Sequence, residues 1–330
     1  MKVTNPQFDA NLRPALRDAL TRVRSRRAFD ASSYIDRKAR LLVRYLRESS
    51  LSAVVVAVSG GIDSAVVAGI AVRAHQLAPD VLRRVVPVLL PVTGTAGATG
   101  QKPATSRGAE LCAQLLLEPT VIDLGEPHLQ LRRQTESALN VQSQPWAQGQ
   151  LVSYLRTPTL YYVTSLLSEA GQPSVLLGTT NRDEGAYLGY FGKASDGMVD
   201  VQVISDIHKS EVYEVARHLE VPASILTVAP TGDMYDARVD EEVFGAPYDF
   251  VELFLAVKAD ASLGVELEEG WSDADCAQFA ELSTRLENMH RYNGHKYLGM
   301  SPAVHLDLWD ASVPGGWKYC VFNGEFSWQR

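Results

Sequence analysis

The residues best suited to chemistry form the string Ser59-Gly60-Gly61-Ile62-Asp63-Ser64. It follows the apolar run Ala53-Val54-Val55-Val56-Ala57-Val58 and precedes a segment rich in alanine and valine. A glycine pair between a buried strand and a helix aims several backbone N–H groups at one point, and the helix N-terminus adds the positive end of its dipole. Such a turn suits a phosphate. Glycine bends tightly and leaves no Cβ in a ligand's way, and Ser59 and Ser64 add hydroxyls. Asp63 cannot serve the phosphate directly, because like charges repel, so an acid here implies a bridging Mg2+. Neither Gly-x-x-x-x-Gly-Lys-Ser/Thr nor Gly-x-Gly-x-x-Gly occurs, which sets aside the Walker loop and the dinucleotide fingerprint.

Hydrophobic periodicity supplies the elements that must hold this loop. Helical spacing of Ile35, Ala39, Leu42, Val43 and Leu46 predicts a helix over 34–46. The run at 53–58 reads as a central strand buried on both faces, and 64–74 as a buried helix. The alternation continues with a strand over 85–90, a helix over 105–117 and a strand over 120–124. It then gives a helix over 151–170 interrupted at Pro158, a strand over 174–177 and a helix over 206–219. Strands alternating with helices imply a parallel sheet covered on both faces. Residues 91–103, 183–200 and 227–247 read as loops, and the chain beyond Asp249 as helical to about His290. The expected organisation is an N-terminal arm over 1–30, poorly ordered or helical, and one domain over 31–330 that ends in an aromatic tail over 307–330.

Composition narrows the class. The 330-residue chain is 46% hydrophobic and 21% charged, the make-up of an ordinary globular protein. It has no run of about 18 apolar residues, so no membrane span is expected. The first residues lack the apolar core of a secretion signal. Cys112, Cys276 and Cys320 fit neither a zinc pattern nor a paired disulfide framework, and read as reduced thiols of a cytoplasmic protein. A net charge of −8 argues against broad nucleic-acid binding, which needs basic surface to replace counterions.

The string over 59–64 resembles the signature of enzymes that activate a carbonyl or carboxyl oxygen with ATP and release pyrophosphate, among them the synthetases of NAD, GMP, asparagine and argininosuccinate. A second string narrows the choice: Leu177-Gly178-Thr179-Thr180-Asn181-Arg182-Asp183-Glu184, followed by Gly189-Tyr190-Phe191, Lys193, Asp196-Gly197 and Asp200. It resembles the NAD synthetase pattern Gly-Thr-x-x-x-x-Glu, then Gly-aromatic-Phe-x-Lys, then Asp-Gly and Asp. Lys209, Pro230-Thr231-x-Asp233, Asp240-Glu241-x-x-Phe244-Gly245 with Tyr248, and His295-Lys296 with Pro302 continue the likeness in the family's order. It covers about residues 35–305.

The resemblance implies a doubly wound, Rossmann-like parallel sheet of the adenine nucleotide alpha-hydrolase type, with a helical, loop-rich C-terminal addition. It places strands one and four side by side, so that Asp63 and Glu184 face one crevice. The implied enzyme is an ammonia-dependent NAD synthase. ATP adenylates the carboxylate of nicotinic acid adenine dinucleotide, pyrophosphate leaves, and ammonia displaces AMP. Asp63, Glu184 and Lys209 would be catalytic, with Asp63 and Glu184 on Mg2+. Ser59, Gly60, Gly61, Ser64, Thr179, Lys209, Thr231 and Gln101 would join Asp63 around ATP. Arg156, Lys193, Asp200, Asp240, His295 and Lys296 would hold the dinucleotide. A homodimer is implied as well.

The sequence departs from the family's pattern in three places. The loop after strand two is rebuilt as Thr93-Gly94-Thr95-Ala96-Gly97-Ala98-Thr99-Gly100-Gln101. The first arginine of Gly-Asn-x-x-x-Arg-x-Arg has become Tyr154, leaving Arg156, and the threonine before the phosphate lysine has become His208. These positions bear on the acid more than on adenylation. They leave a second reading open, a related ligase that amidates a different carboxylate. A tRNA-modifying enzyme with the same loop would need a basic groove and cysteines for sulfur transfer. Too few residues precede the first strand for a fused glutaminase domain, so ammonia, free or from a separate protein, is the expected nitrogen source.

Overall fold

The computed structural model describes residues 12–94, 101–232, 238–297, 303–308 and 320–321. Asp233, Pro302, most of the rebuilt loop and the tail aromatics Trp309, Trp317, Tyr319, Phe322, Phe326 and Trp328 lie outside the described residues, as does the side chain of Gln101.

Seven strands pair among the described residues: β1 (Ala53–Ala57), β2 (Arg84–Leu89), β3 (Thr120–Val121), β4 (Ser174–Gly178), β5 (Val201–Gln202), β6 (Val304–His305) and β7 (Cys320–Val321). They form one sheet in the order β3-β2-β1-β4-β5-β6-β7, and every neighbouring pair is parallel. Consecutive connections carry the chain outward from β1 to β3; it then returns to lay β4 on the other side of β1. The carboxyl ends of β1 and β4 therefore border the crevice where ligands of such sheets bind.

Continuous apolar character in β1 follows from two buried faces. Successive strand residues point to opposite sides. Val54 and Val56 pack with Leu89, Val175 and Leu177 in one layer, while Val55 packs with Val86, Val88 and Leu176 in the other. The first layer is covered by α2 (Ala31–Glu48), α3 (Ile62–Leu77), part of α4 (Gln101–Gln114) and α7 (Lys209–His218). The second lies under α6 (Pro145–Glu169), preceded by α5 (Gly125–Leu139). A third core joins α1 (Pro14–Arg27) to α10 (Tyr248–Ala259), α11 (Ala261–Glu268) and α12 (Asp273–Asn293); the short α8 (Ala223–Leu226) and α9 (Asp240–Phe244) precede these. In α1, Leu16, Ala19, Leu20 and Val23 are buried in that core.

Several elements differ from the periodicity reading, each for a local reason. α6 runs unbroken through Pro158. A proline costs a helix one hydrogen bond, but Pro158 faces solvent while Val152, Thr157, Leu160 and Thr164 anchor the helix on either side of it. α5 was not anticipated because it has no apolar face: only Gly125 and His128 are buried. β5, β6 and β7 have two residues each, too few to show a period. The region beyond Asp249 is three helices. Asp260 ends one and caps the next through Ser262 N, and Ser272 caps the third through Asp275 N.

Candidate active site

Three strand ends deliver the site. After β1 the chain turns through Gly60 and enters α3 at Ile62. Gly60 has φ +79°, and a Cβ there would sit 2.2 Å from the Ala104 carbonyl oxygen of α4. Only glycine fits both demands. Gly61, the residue before α3, has an ordinary φ of −100°. The turn is laced by hydroxyls. Ser64 Oγ donates to Gly61 O at 3.0 Å and lies 3.1 Å from Ser59 Oγ, and Gly61 N donates to Ser59 Oγ at 3.2 Å. The backbone N–H groups that open α3 face outward with the positive end of its dipole, as phosphate binding requires.

Asp63 projects from the first turn of α3 and meets Lys209, the first residue of α7. Lys209 Nζ donates to Asp63 Oδ2 at 2.7 Å and to Glu184 Oε1 at 2.9 Å, and its side chain is 1% exposed. Asn181 Nδ2 makes a second bridge, to Asp63 Oδ1 at 2.8 Å and Glu184 Oε1 at 2.7 Å. Tyr248 OH lies 2.7 Å from Asp240 Oδ2 and 2.9 Å from Glu184 Oε1, with one proton to give between them, and its ring lies under the Lys209 ammonium. Asp240 also accepts from Tyr190 OH at 3.0 Å and Gly232 N at 2.8 Å. Glu184 Oε1 thus faces Asn181 Nδ2, Lys209 Nζ and the shared Tyr248 hydroxyl, while Oε2 accepts no hydrogen bond among the described residues.

Three carboxyl groups share one ammonium, and the titration behaviour follows. Burial pushes the Glu184 carboxyl up; Lys209 opposes this, and Asp63 and Asp240 add to it. Burial works against the Lys209 ammonium, but Asp63, Glu184 and Asp240 together hold its pKa well above the ordinary lysine value. Burial, with Asp240 and Glu184 next, raises the Tyr248 hydroxyl far above its usual range.

Two sets of contacts orient the cluster. On one side, Asp183 substitutes for a cap on α7: its Oδ2 accepts from Lys209 N at 2.7 Å, and its Oδ1 lies 2.6 Å from His208 Nδ1. Burial raises Asp183 to about 6 and lowers His208 to about 4, so near neutral pH the imidazole is neutral and donates to the carboxylate. On the other side, the chain from Glu184 to Phe191 includes a π-helical turn at Glu184–Leu188, and side chains from the end of α12 and the turn Gly294–Tyr297 after it take up its carbonyls. Tyr297 OH donates to Gly185 O, Asn293 Nδ2 to Leu188 O, and Lys296 Nζ to both Gly189 O and Phe191 O; His290 Nδ1 contacts Tyr187 O.

Of the residues named from sequence, Ser59, Gly60, Gly61, Asp63, Ser64, Glu184, Lys209 and Asp240 come together. Thr179 follows β4 half-buried, and Thr231 is exposed beside Gly232. Arg156 reaches the end of β2, donating from Nη2 to Leu90 O at 3.3 Å. Lys193 is exposed and donates to His295 O, and His295 lies on the turn Gly294–Tyr297. Asp200 lies at the sheet, where its carboxylate accepts from Leu176 N at 2.8 Å and Tyr161 OH. Asn181, Asp183, His208 and Tyr248 were in the quoted strings without a role.

A model of the NAD synthase family matches residues 34–297. The chain belongs to the NAD synthase family. It is 31% identical over 225 residues to the NH(3)-dependent NAD(+) synthetase of Carboxydothermus hydrogenoformans, an alignment that covers 67% of this chain and 85% of the relative. It is 30% identical over 268 residues to the protein of the same description in Alkaliphilus oremlandii, covering 79% and 93%. Among solved structures, the NMN synthetase of Francisella tularensis superposes with a TM-score of 0.64 at 25% identity, covering 83% of this chain and 99% of that one. The expected fold and class therefore hold: a doubly wound parallel sheet carrying an ATP-dependent, amide-forming ligase of NAD biosynthesis. No helix among the described residues is long and apolar enough to cross a membrane.

Proposed function

We propose that this ligase joins ammonia to the carboxylate of nicotinic acid adenine dinucleotide, consuming ATP and releasing AMP and pyrophosphate. The observation that carries the reading is the Lys209 ammonium held between Asp63 and Glu184 beside the turn into α3. The descriptions of the ammonia-dependent relatives support ammonia as the nitrogen source. In the first step a carboxylate oxygen attacks the α-phosphorus, forming a carboxyl O–P bond and breaking the bond to pyrophosphate. Charge grows on the phosphate oxygens. The N–H groups opening α3, the hydroxyls of Ser59 and Ser64, and Lys209 are preorganised donors fit to meet it. Ammonia then attacks the activated carbonyl, forms the C–N bond, gives up a proton and expels AMP.

The donor set fits Mg2+. Asp63 and Glu184 offer carboxylate oxygens, the ligands a hard cation takes, and Glu184 Oε2 has no hydrogen bond among the described residues. Three acids against one ammonium leave a deficit of two charges when all are ionised. No group of three metal-ligating side chains occurs among the described residues, so phosphate oxygens and water would complete the shell. Bound there, Mg2+ would neutralise charge on the pyrophosphate leaving group.

Thr179 and Thr231 are the proposed further ATP contacts, with Gln101. Arg156, Lys193 and His295 are proposed to contact the dinucleotide, while Asp200, Asp240 and Lys296 support it through the segments they hold. A homodimer is part of the reading. On α6, Trp146, Tyr154, Tyr162 and Leu166 are 58%, 44%, 64% and 46% exposed. Tyr154, Tyr162 and Leu166 fall on one helix face by their spacing, and a second copy would cover it. A cytoplasmic location is supported by Cys112 and Cys276 standing as free thiols.

The test is product analysis with ATP, Mg2+, ammonium and nicotinic acid adenine dinucleotide, with nicotinic acid mononucleotide as a competitor and glutamine in place of ammonium as a control. NAD, AMP and pyrophosphate in equal amounts are expected. AMP and pyrophosphate formed only with the mononucleotide or another acid would refute the dinucleotide assignment and keep the adenylating chemistry.

A further inference from the structure

Helix α1 ends before residue 34, where the family match begins, yet a chain of largely buried side chains links it to the catalytic lysine. Arg27 grips Glu211 with a fork. Its Nε donates to Oε1, and its Nη2 donates to Oε2 at 2.9 Å and to the Asp206 carbonyl at 2.8 Å. Glu211 Oε2 accepts from His208 N at 2.8 Å. The His208 ring donates to Asp183, and Asp183 accepts from Lys209 N. Glu211, His208 and Asp183 are 3%, 4% and 0% exposed, so none of these bonds has water as a ready substitute. Asp183 directly precedes Glu184 and His208 directly precedes Lys209, so the series ends on both residues that pair in the site.

One turn earlier, Arg24 makes a second tie. It bonds Glu252 and Asp249, and Glu252 accepts from Ser210 Oγ at 2.8 Å, on the same first turn of α7. Arg26, next to Arg27 in the sequence, points away and pairs with Glu266, both about half exposed.

We propose that Arg27 is a positioning residue for this ligase: by fixing Glu211 it sets the start of α7, so that Lys209 reaches Asp63 and Glu184 together. The proposal rests on the ligase reading above. Arg27 touches no reacting atom, and its effect passes through the direction of the Lys209 side chain. An arginine is needed because the fork spans both carboxylate oxygens and the Asp206 carbonyl at once.

The experiment compares wild type with Arg27→Ala, Arg27→Lys, Glu211→Gln and the double variant, using Arg26→Ala as the control on the same helix. Arg27→Ala is expected to lower kcat by about tenfold to a hundredfold, with KM for ATP moving less than about threefold, because a lysine displaced by a fraction of an ångström loses alignment more than affinity. Arg27→Lys should recover part of that loss, and adding Arg27→Ala to Glu211→Gln should cost little beyond Glu211→Gln alone. Amide hydrogen exchange over 207–212, measured without substrate, should quicken in Arg27→Ala and stay unchanged in Arg26→Ala. That measurement does not depend on which acid is amidated, so it decides the proposal even if the wild type makes no NAD. Unchanged exchange, kcat within about twofold of wild type, or fully additive losses in the double variant would overturn it. Should Arg27→Ala fail to fold, Arg27→Lys and Glu211→Gln carry the same comparison.

Discussion

Replacing Gly60 by alanine should do far more damage than replacing Gly61, although the two are adjacent in one motif. At Gly60 a side chain meets two penalties. Its φ of +79° lies in the left-handed region, which costs an L-residue roughly 1–2 kcal/mol. Its Cβ would also lie 2.2 Å from Ala104 O and 2.9 Å from the carbon of that carbonyl. Both are backbone atoms of a helix, so relief needs about 1 Å of movement, an overpacking cost of about 1–3 kcal/mol. The sum is about 2–5 kcal/mol, and at about 2 °C per kcal/mol for a chain of this size Tm should fall by about 4–10 °C. The same movement displaces the N–H groups that open α3, so turnover should fall by about a hundredfold. At Gly61 a Cβ would meet, among the described residues, only Ser59 Oγ, at 3.3 Å, and φ is ordinary. Gly61→Ala should melt within about 2 °C of wild type, within the range of a mild substitution; any activity it loses would come from crowding the ligand. Scanning calorimetry and pyrophosphate release measure both quantities. A Gly60→Ala protein that melts with wild type would refute the argument from Ala104.

Other perturbations have equally definite expected outcomes. Asp63→Ala should reduce pyrophosphate release by at least about a hundredfold while leaving the circular dichroism and Tm near wild type, because it also removes a negative neighbour of Glu184; turnover near wild type would contradict its assignment to the metal. Lys209→Met should cost about 3–5 kcal/mol once the pH exceeds the Glu184 pKa of about 8, by stranding buried carboxylates. Glu184, already raised by burial, sheds that cost by taking a proton. The stability gap to wild type in denaturant melts should therefore widen as pH rises through the Glu184 pKa and narrow below it, and a gap independent of pH would argue against the buried pair. Wild type should scatter light as the proposed dimer at micromolar concentration and Tyr162→Glu, on the exposed stripe of α6, as a monomer; a monomeric wild type would refute the dimer, and an unaffected dimer would refute this interface.

The sequence carried the outline of the site but not its wiring. The apolar run before Gly60 revealed β1 because burial on both faces leaves no polar positions in it. The need for glycine at 60 rather than 61 depends on Ala104, a residue on a separate helix, and no local pattern records that. Asn181 and Tyr248 stood in the quoted strings, yet their partners lie 118 and 64 positions away. His208 was visible as a departure from the family's pattern. Its bond to Asp183 is a tertiary fact, and so is the capping of Lys209 N by the same carboxylate. α5 escaped notice because a helix without a buried face has no periodicity to read.

The grip of the α12 end and the turn after it on the chain around Glu184 sets when activity can first appear during synthesis. A ribosome that has delivered the chain through β5 and α7 has already released Asp63, Glu184 and Lys209. The carbonyls of Gly185, Tyr187, Leu188, Gly189 and Phe191 still await partners encoded more than a hundred residues downstream. Contacts so distant along the chain form late. The nascent enzyme therefore pairs β1 to β5 first and gains a fixed Glu184 only after Tyr297 has emerged, so a product truncated within α12 should be born folded in part and inactive in full.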